Sequence, residues 1–167
     1  MDRCKERYTT TYKNIIDAGY KNITRFHGVD ALKSDELTNA WKYHNNPKFN
    51  EDDTDFIHTY LGKQGCALTH IKLWKYIIDN NIEYCTIFED DILFHEYWKQ
   101  YAEEYIKSTP SDFDILYMGS FLDYMIEAHI YTTPVYCTHA YVLTLNGAKK
   151  LLNKILTYHE GIYTIDV

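Results

Sequence analysis

Three consecutive acids, Glu89, Asp90 and Asp91, stand directly behind the apolar stretch Tyr84-Cys85-Thr86-Ile87-Phe88. Such a stretch predicts a short buried strand, with the acids at its carboxyl end. Alternate residues of an extended chain project to one side, so Glu89 and Asp91 can converge. Two converging hard carboxylates are half a site for Mg²⁺ or Mn²⁺; water and a substrate diphosphate would complete it. An ion there neutralises the charge that grows on a phosphate leaving group. The same triplet also reads as an acidic cap on the next helix, where carboxylates complement the helix dipole.

Other residues carry weaker chemical signals. Arg3 and Arg7 lie four apart and share one face of a helix. That face is either simply solvated or a clamp on a diphosphate, whose geometry guanidinium matches well. Cys4, Cys66, Cys85 and Cys137 form no C-x-x-C pair, so a structural zinc centre of paired cysteines is not expected. Cys66 and Cys85 sit in apolar runs, where a reduced thiol packs as a small hydrophobe. Trp74 and Trp98 read as core at helical spacing, while Trp41 lies in a polar stretch and could stack on a sugar. Asn22-Ile23-Thr24 is a glycosylation sequon by pattern only.

The elements that would position these groups follow from periodicity. Residues 2–18 read as a helix, with Tyr8, Tyr12, Ile15 and Ile16 on one face and Gly19 as its stop. Residues 22–29 read as a strand ending at Val29 and Asp30. Residues 41–55 are polar and read as an excursion. Leu68, Ile71, Trp74, Ile77 and Ile78 recur at three and four residues and predict a helix over 65–80. Residues 84–88 and 113–118 read as strands, 135–145 as a longer β segment, and 95–107 and 146–158 as helices. This order predicts one α/β domain with helices on both faces of its sheet. Such sheets bind ligands beyond the carboxyl ends of their strands, here Val29–Asp30, Glu89–Asp91 and Gly119–Ser120.

Composition bounds the function. The chain has 167 residues, 46% hydrophobic and 25% charged, which excludes a disordered polymer and suits a single domain. Its net charge of −7, with no basic block, argues against nucleic acid as a partner. No apolar run is long enough to span a bilayer, and Met1-Asp2-Arg3-Cys4 is no secretory leader, so a cytoplasmic location is expected. Lys outnumbers Arg 14 to 3 and Tyr appears 17 times, a bias that AT-rich codons explain before any aromatic platform does.

The segments around the acids also resemble glycosyltransferase family 25, the lipooligosaccharide and collagen galactosyltransferase group. Residues 61–74 resemble its "lG-x-x-GC-a-l-SH-x-x-l-W" segment, with Thr69 for the serine. Residues 88–91 resemble its "EDD" strand end, 112–119 its "dfDil-y-lG" strand, and 141–152 its "Y-v-i-s-x-x-GA-k-k-LL" segment. Asp2-Arg3 with Arg7 is similar to the opening "n-L-D-r-r-x-e-R", and 25–30 to a strand ending in "v-D". The resemblance implies a Rossmann-like GT-A fold, a UDP-sugar donor, often UDP-galactose, and a manganese ion, with magnesium as the substitute. It implies Asp91 as the first metal ligand and Glu89 as a second ligand or a ribose contact. Asp90, on the opposite side of the chain, would join the donor-binding residues or serve the fold.

Further roles follow by the same analogy. Thr69 and His70 would contact the donor phosphates, although a lone His on an apolar helix is also an ordinary core residue. Asp30 would accept hydrogen bonds from ribose or uracil, or simply close a turn. Transfer with inversion needs a carboxylate to take the acceptor hydroxyl's proton. Asp166, in a segment resembling the family's "y-p-x-D", is the choice; Asp123, Glu127 and His139 are the alternatives. The family opens with a strand, "v-f-v-i-N-L", where this chain has Met1, and relatives continue past Val167. A domain truncated at both ends is therefore expected, with an open sheet edge that favours a homodimer or a marginal monomer. The activity expected is hexose transfer, of galactose or glucose, to a sugar or protein hydroxyl. The alternative is a non-catalytic paralogue acting as a binding or interaction module. A metal-dependent phosphohydrolase fits less well, because it needs more clustered acids and histidines.

Overall fold

The computed structural model describes residues 4–31, 33, 54–119 and 138–156. Within them the chain forms α1 (Lys5–Asp17), α2 (Thr54–Asp79), β1 (Tyr84–Phe88), α3 (Trp98–Ser108), β2 (Ile115–Tyr117), β3 (Ala140–Thr144) and α4 (Leu145–Leu156). The three strands make one sheet in the order β1-β3-β2. β3 is antiparallel to both neighbours, pairing Phe88 with Ala140 on one side and Tyr117 with Tyr141 on the other. β1 and β2 therefore run the same way, and their carboxyl ends flank the start of β3. Glu89 N–H donates to His139 O at 2.8 Å, and Met118 N–H to Ala140 O at 2.9 Å. The fold is thus mixed α/β, with a small antiparallel sheet.

Strand alternation divides the side chains between two cores. Ile87, Tyr141, Leu143 and Ile115 meet Trp74 and Ile77 of α2 and Ala148 of α4. On the other face, Phe88 and Ala140 meet Ile15 of α1, Ile92 and Met118. That second face is covered less well. A cavity of about 1840 Å³ lies between Thr86, Leu116 and Val142 of the sheet and Trp98, Tyr101 and Tyr105 of α3. No residue of α3 is buried. No helix among the described residues is long and apolar enough to cross a membrane.

Several expectations need correction. Residues 22–30 form no strand: their backbone makes no ladder with any described residue. A strand needs a partner for its N–H and C=O groups, and this segment is held by side chains instead. Arg25 lies 4.3 Å over the Tyr8 ring, and Phe26 meets Tyr76 at 5.9 Å. The buried face of α1 is Thr11 and Ile15, with Tyr12 and Ile16 exposed. α2 begins at Thr54, inside the stretch read as an excursion. β3 ends at Thr144, and α4 starts at once. Gly19 ends α1 as expected: its φ of +96° is the left-handed region that glycine enters freely. Residues 41–53, Ser120 and 135–137 lie outside the described residues.

Candidate active site

α2 presents Ala67, His70, Trp74 and Ile77 to the core at three- and four-residue spacing. His70 is therefore buried, and it faces the end of β1. Its Nε2 lies 3.1 Å from Glu89 Oε1, and its Nδ1 lies 2.6 Å from the Tyr141 hydroxyl. Trp74 Nε1–H donates to the same hydroxyl at 3.0 Å. The indole can only donate, so the Tyr141 proton is left for His70 Nδ1. Nδ1 then accepts, which assigns the ring proton to Nε2, facing Glu89. Burial pushes the Tyr141 hydroxyl strongly upward, so it keeps that proton.

Glu89 is the terminus of this chain of donors. Thr138 Oγ1–H also donates to Oε1, at 2.7 Å, and Cys66 Sγ lies 3.8 Å from the same oxygen. Burial acts to raise the Glu89 carboxyl; the hydrogen bonds from His70 and Thr138, aided by the electrostatic pull of His70 and His139, outweigh it and hold it low. All three of these contacts use Oε1, and the carboxylate is ionised where it meets the sheet's carboxyl edge.

Asp90 and Asp91 go elsewhere. The extended alternation stops at Phe88, and residues 90 and 91 form a turn. Arg7 of α1 reaches both: Nη2 is 2.6 Å from Asp90 Oδ1 and 3.2 Å from Asp91 Oδ2. Thr11 Oγ1–H anchors the same turn by donating to Asp90 O at 2.8 Å. Two carboxylates thus share one positive nitrogen, while Glu89 faces inward. These groups are more than a third exposed, so their worth to stability is small.

Thr69 and Asp30 belong to a neighbouring seam. Thr69 Oγ1 donates to Gly65 O at 2.7 Å and accepts the Val29 N–H at 2.8 Å. Gly65 has to be glycine here, because a Cβ would lie 2.9 Å from Val29 O. Asp30 follows Val29, between the two residues, Val29 and Ala31, that approach Gly65 of α2. His139 stands next to Gly119, where a Cβ would meet its Nε2 at 2.9 Å. Arg3, Trp41, Asp123, Glu127 and Asp166 lie outside the described residues. The large cavity does not include the acids: its lining omits residues 89–91.

Sequence reasoning missed Cys66, Trp74, Thr138 and Tyr141 as polar partners of this site. Cys66, His70 and Trp74 are spaced by four, a visible signal that they share a helix face. Thr138 had none, since only the register of β3 brings it to Glu89.

The family model described as glycosyltransferase family 25 (LPS biosynthesis protein) matches residues 6–132. The chain belongs to glycosyltransferase family 25. It is 31% identical over 104 residues to procollagen galactosyltransferase 1-A of Xenopus laevis, covering 55% of this chain and 17% of that protein. It is 27% identical over 171 residues to a glycosyltransferase 25 family member of Anopheles gambiae, covering 92% of this chain and 28% of that protein. It is 30% identical over 102 residues to the probable inactive glycosyltransferase 25 family member 3 of Bos taurus, covering 54% of this chain and 17% of that protein. The chain therefore spans less than a third of the length of these relatives.

Proposed function

We propose that this chain carries the donor site of a metal-dependent hexosyltransferase of the GT-A fold. It would move galactose or glucose from a UDP-sugar to a sugar or protein hydroxyl. The observation that carries this reading is the convergence of Asp90 Oδ1 and Asp91 Oδ2 on one cationic nitrogen at the carboxyl end of β1. Arg7 stands there in the place a metal ion would take, and an all-oxygen set suits Mn²⁺ or Mg²⁺. Such an ion, when bound, offsets charge on the leaving diphosphate.

The protein's own groups do the rest. Asp91 holds the ion with Asp90 beside it, the two carboxylates that already converge on Arg7, and the Glu89 oxygen that His70 does not use is left for the ribose contact. Arg7, once released from the carboxylates, turns to the diphosphate, joined by Arg3. Asp30 with Thr69 borders the nucleoside side, and His70 keeps Glu89 ionised and oriented. Asp166 takes the acceptor hydroxyl's proton as the sugar inverts. Calorimetry of UDP with and without Mn²⁺ tests the donor site: affinity that rises with the ion supports the reading, and no UDP binding in either condition ends it.

A second reading has its own observation. Every acid of the triplet is satisfied internally, by Arg7 or by His70 and Thr138. One relative is named probable inactive. A non-catalytic binding or interaction module would keep those contacts and ignore UDP and Mn²⁺. Thermal melting separates the two, since a ligand of the native state raises the melting point.

A further inference from the structure

Cys66, His70 and Glu89 bring three different donor atoms to one place. Sγ, Nε2 and Oε1 all lie within 4.8 Å of one another. The thiol and imidazole come from successive turns of α2, and the carboxylate from the residue after β1. Around a tetrahedral ion with bonds of about 2.0–2.3 Å, ligand atoms stand roughly 3.3–3.6 Å apart. The observed Nε2···Oε1 and Sγ···Oε1 separations are 3.1 and 3.8 Å, each within a few tenths of an ångström of that span.

We propose that Cys66, His70 and Glu89 form a binding site for a borderline-soft divalent ion, foremost Zn²⁺, separate from the oxygen-only position at Asp91. The donor set decides the ion. One sulfur and one imidazole nitrogen with a single carboxylate favour zinc over manganese or magnesium. Partners for both outer-shell supports that zinc sites use stand within hydrogen-bond reach. Tyr141 stands behind His70 Nδ1, and Thr138 holds the Glu89 oxygen. On binding, the thiol proton leaves to solvent and the ring proton moves from Nε2 to Nδ1. The Tyr141 hydroxyl rotates its own hydrogen away from Nδ1, so that Nδ1–H donates to the Tyr141 oxygen, which also takes the Trp74 N–H. Three protein ligands leave the fourth position to water, on the side where Glu89 is 28% exposed. His70 is 4% exposed and closes the inner side. An ion here fastens α2 to the end of β1 one residue before the Asp90–Asp91 turn.

The site stands whether or not the chain binds a sugar nucleotide, and its test needs no transfer assay. The chelator-stripped chain, titrated with Co²⁺ as a coloured substitute, is expected to take one ion and show a thiolate-to-cobalt charge-transfer band. Cys66→Ser should lose the band, and Asp91→Asn should keep it. In the unaltered chain, Zn²⁺ should slow alkylation of Cys66 by about tenfold or more, read by peptide mass spectrometry. Cys4 and Cys85 should react as before. No band from the folded chain, a band that survives in Cys66→Ser, or equal Cys66 alkylation with and without Zn²⁺ overturns the proposal. The alkylation measurement decides the matter even if Cys66→Ser does not fold.

Discussion

His70 and Glu89 form the joint between the long helix α2 and the acidic end of β1, with Nε2 and Oε1 3.1 Å apart. Behind that contact stand Tyr141 and Trp74; beside it stands Thr138. The buried donors of two elements are thus spent on one carboxylate. That carboxylate stays ionised next to the turn that carries Asp90 and Asp91.

Tyr141→Phe removes the hydroxyl between Trp74 and His70. It leaves a buried indole N–H and a buried ring nitrogen unpaired, at about 1–3 kcal/mol for each such group. Urea denaturation should show a loss of about 2–6 kcal/mol for the two together, with the circular dichroism of the native state unchanged. A change below about 0.5 kcal/mol would mean that water replaces the hydroxyl.

The Glu89 carboxyl is held low in the folded chain, because the hydrogen bonds from His70 and Thr138 outweigh its burial. A carboxyl lowered by folding stabilises the native state above its unfolded value, about 4.3, and that contribution disappears as pH falls through the folded value. Parent and Glu89→Gln should therefore differ most at neutral pH and converge only as pH falls below the unfolded value and through the lowered folded one. Denaturation midpoints measured across that range check this. A difference that does not change with pH would assign Glu89 a packing role only.

Asp91→Asn should abolish the Mn²⁺-dependence of UDP binding without unfolding the chain. Arg7→Gln should do the reverse to the ion alone. With the guanidinium gone from between Asp90 and Asp91, Mn²⁺ should bind more tightly in the absence of nucleotide, while UDP affinity falls. Paired calorimetric titrations of the two variants read both effects. Unchanged Mn²⁺ affinity in Arg7→Gln would show that the ion does not compete for those carboxylates.

β1 pairs only with β3 among the described residues, so among them its outer edge has no ladder partner. An open edge is a template for another chain. Light scattering should find dimer whose fraction rises with concentration, and Thr86→Pro, on this edge strand, should reduce it. A strictly monomeric species at all concentrations would show that the edge is protected.

The sequence by itself determined most elements and the strand end that carries the three acids. The periodicity of Leu68, Ile71, Trp74, Ile77 and Ile78 makes a helix, and α2 runs through all of them, although its buried positions include Ala67 and His70 beside Trp74 and Ile77. The apolar run 84–88 makes a strand that ends at the acids, and Gly19 ends α1 because a left-handed residue is needed there. These outcomes are local, so nearby residues suffice to read them. Tertiary structure decided the partners. Residues 22–30 look like a strand in isolation, but extended backbone becomes a strand only where another strand meets it, and none of the described residues does. Glu89 and Asp91 would share a side of an extended chain; instead Thr138, 49 positions away, and His70 draw Glu89 inward. Arg7 and Thr11, on a helix 79 residues away from Asp90 in the case of Thr11, take the turn outward. The register of β3 and the docking of α1 fix those contacts, and both arise from burial of apolar side chains that lie far apart in the chain.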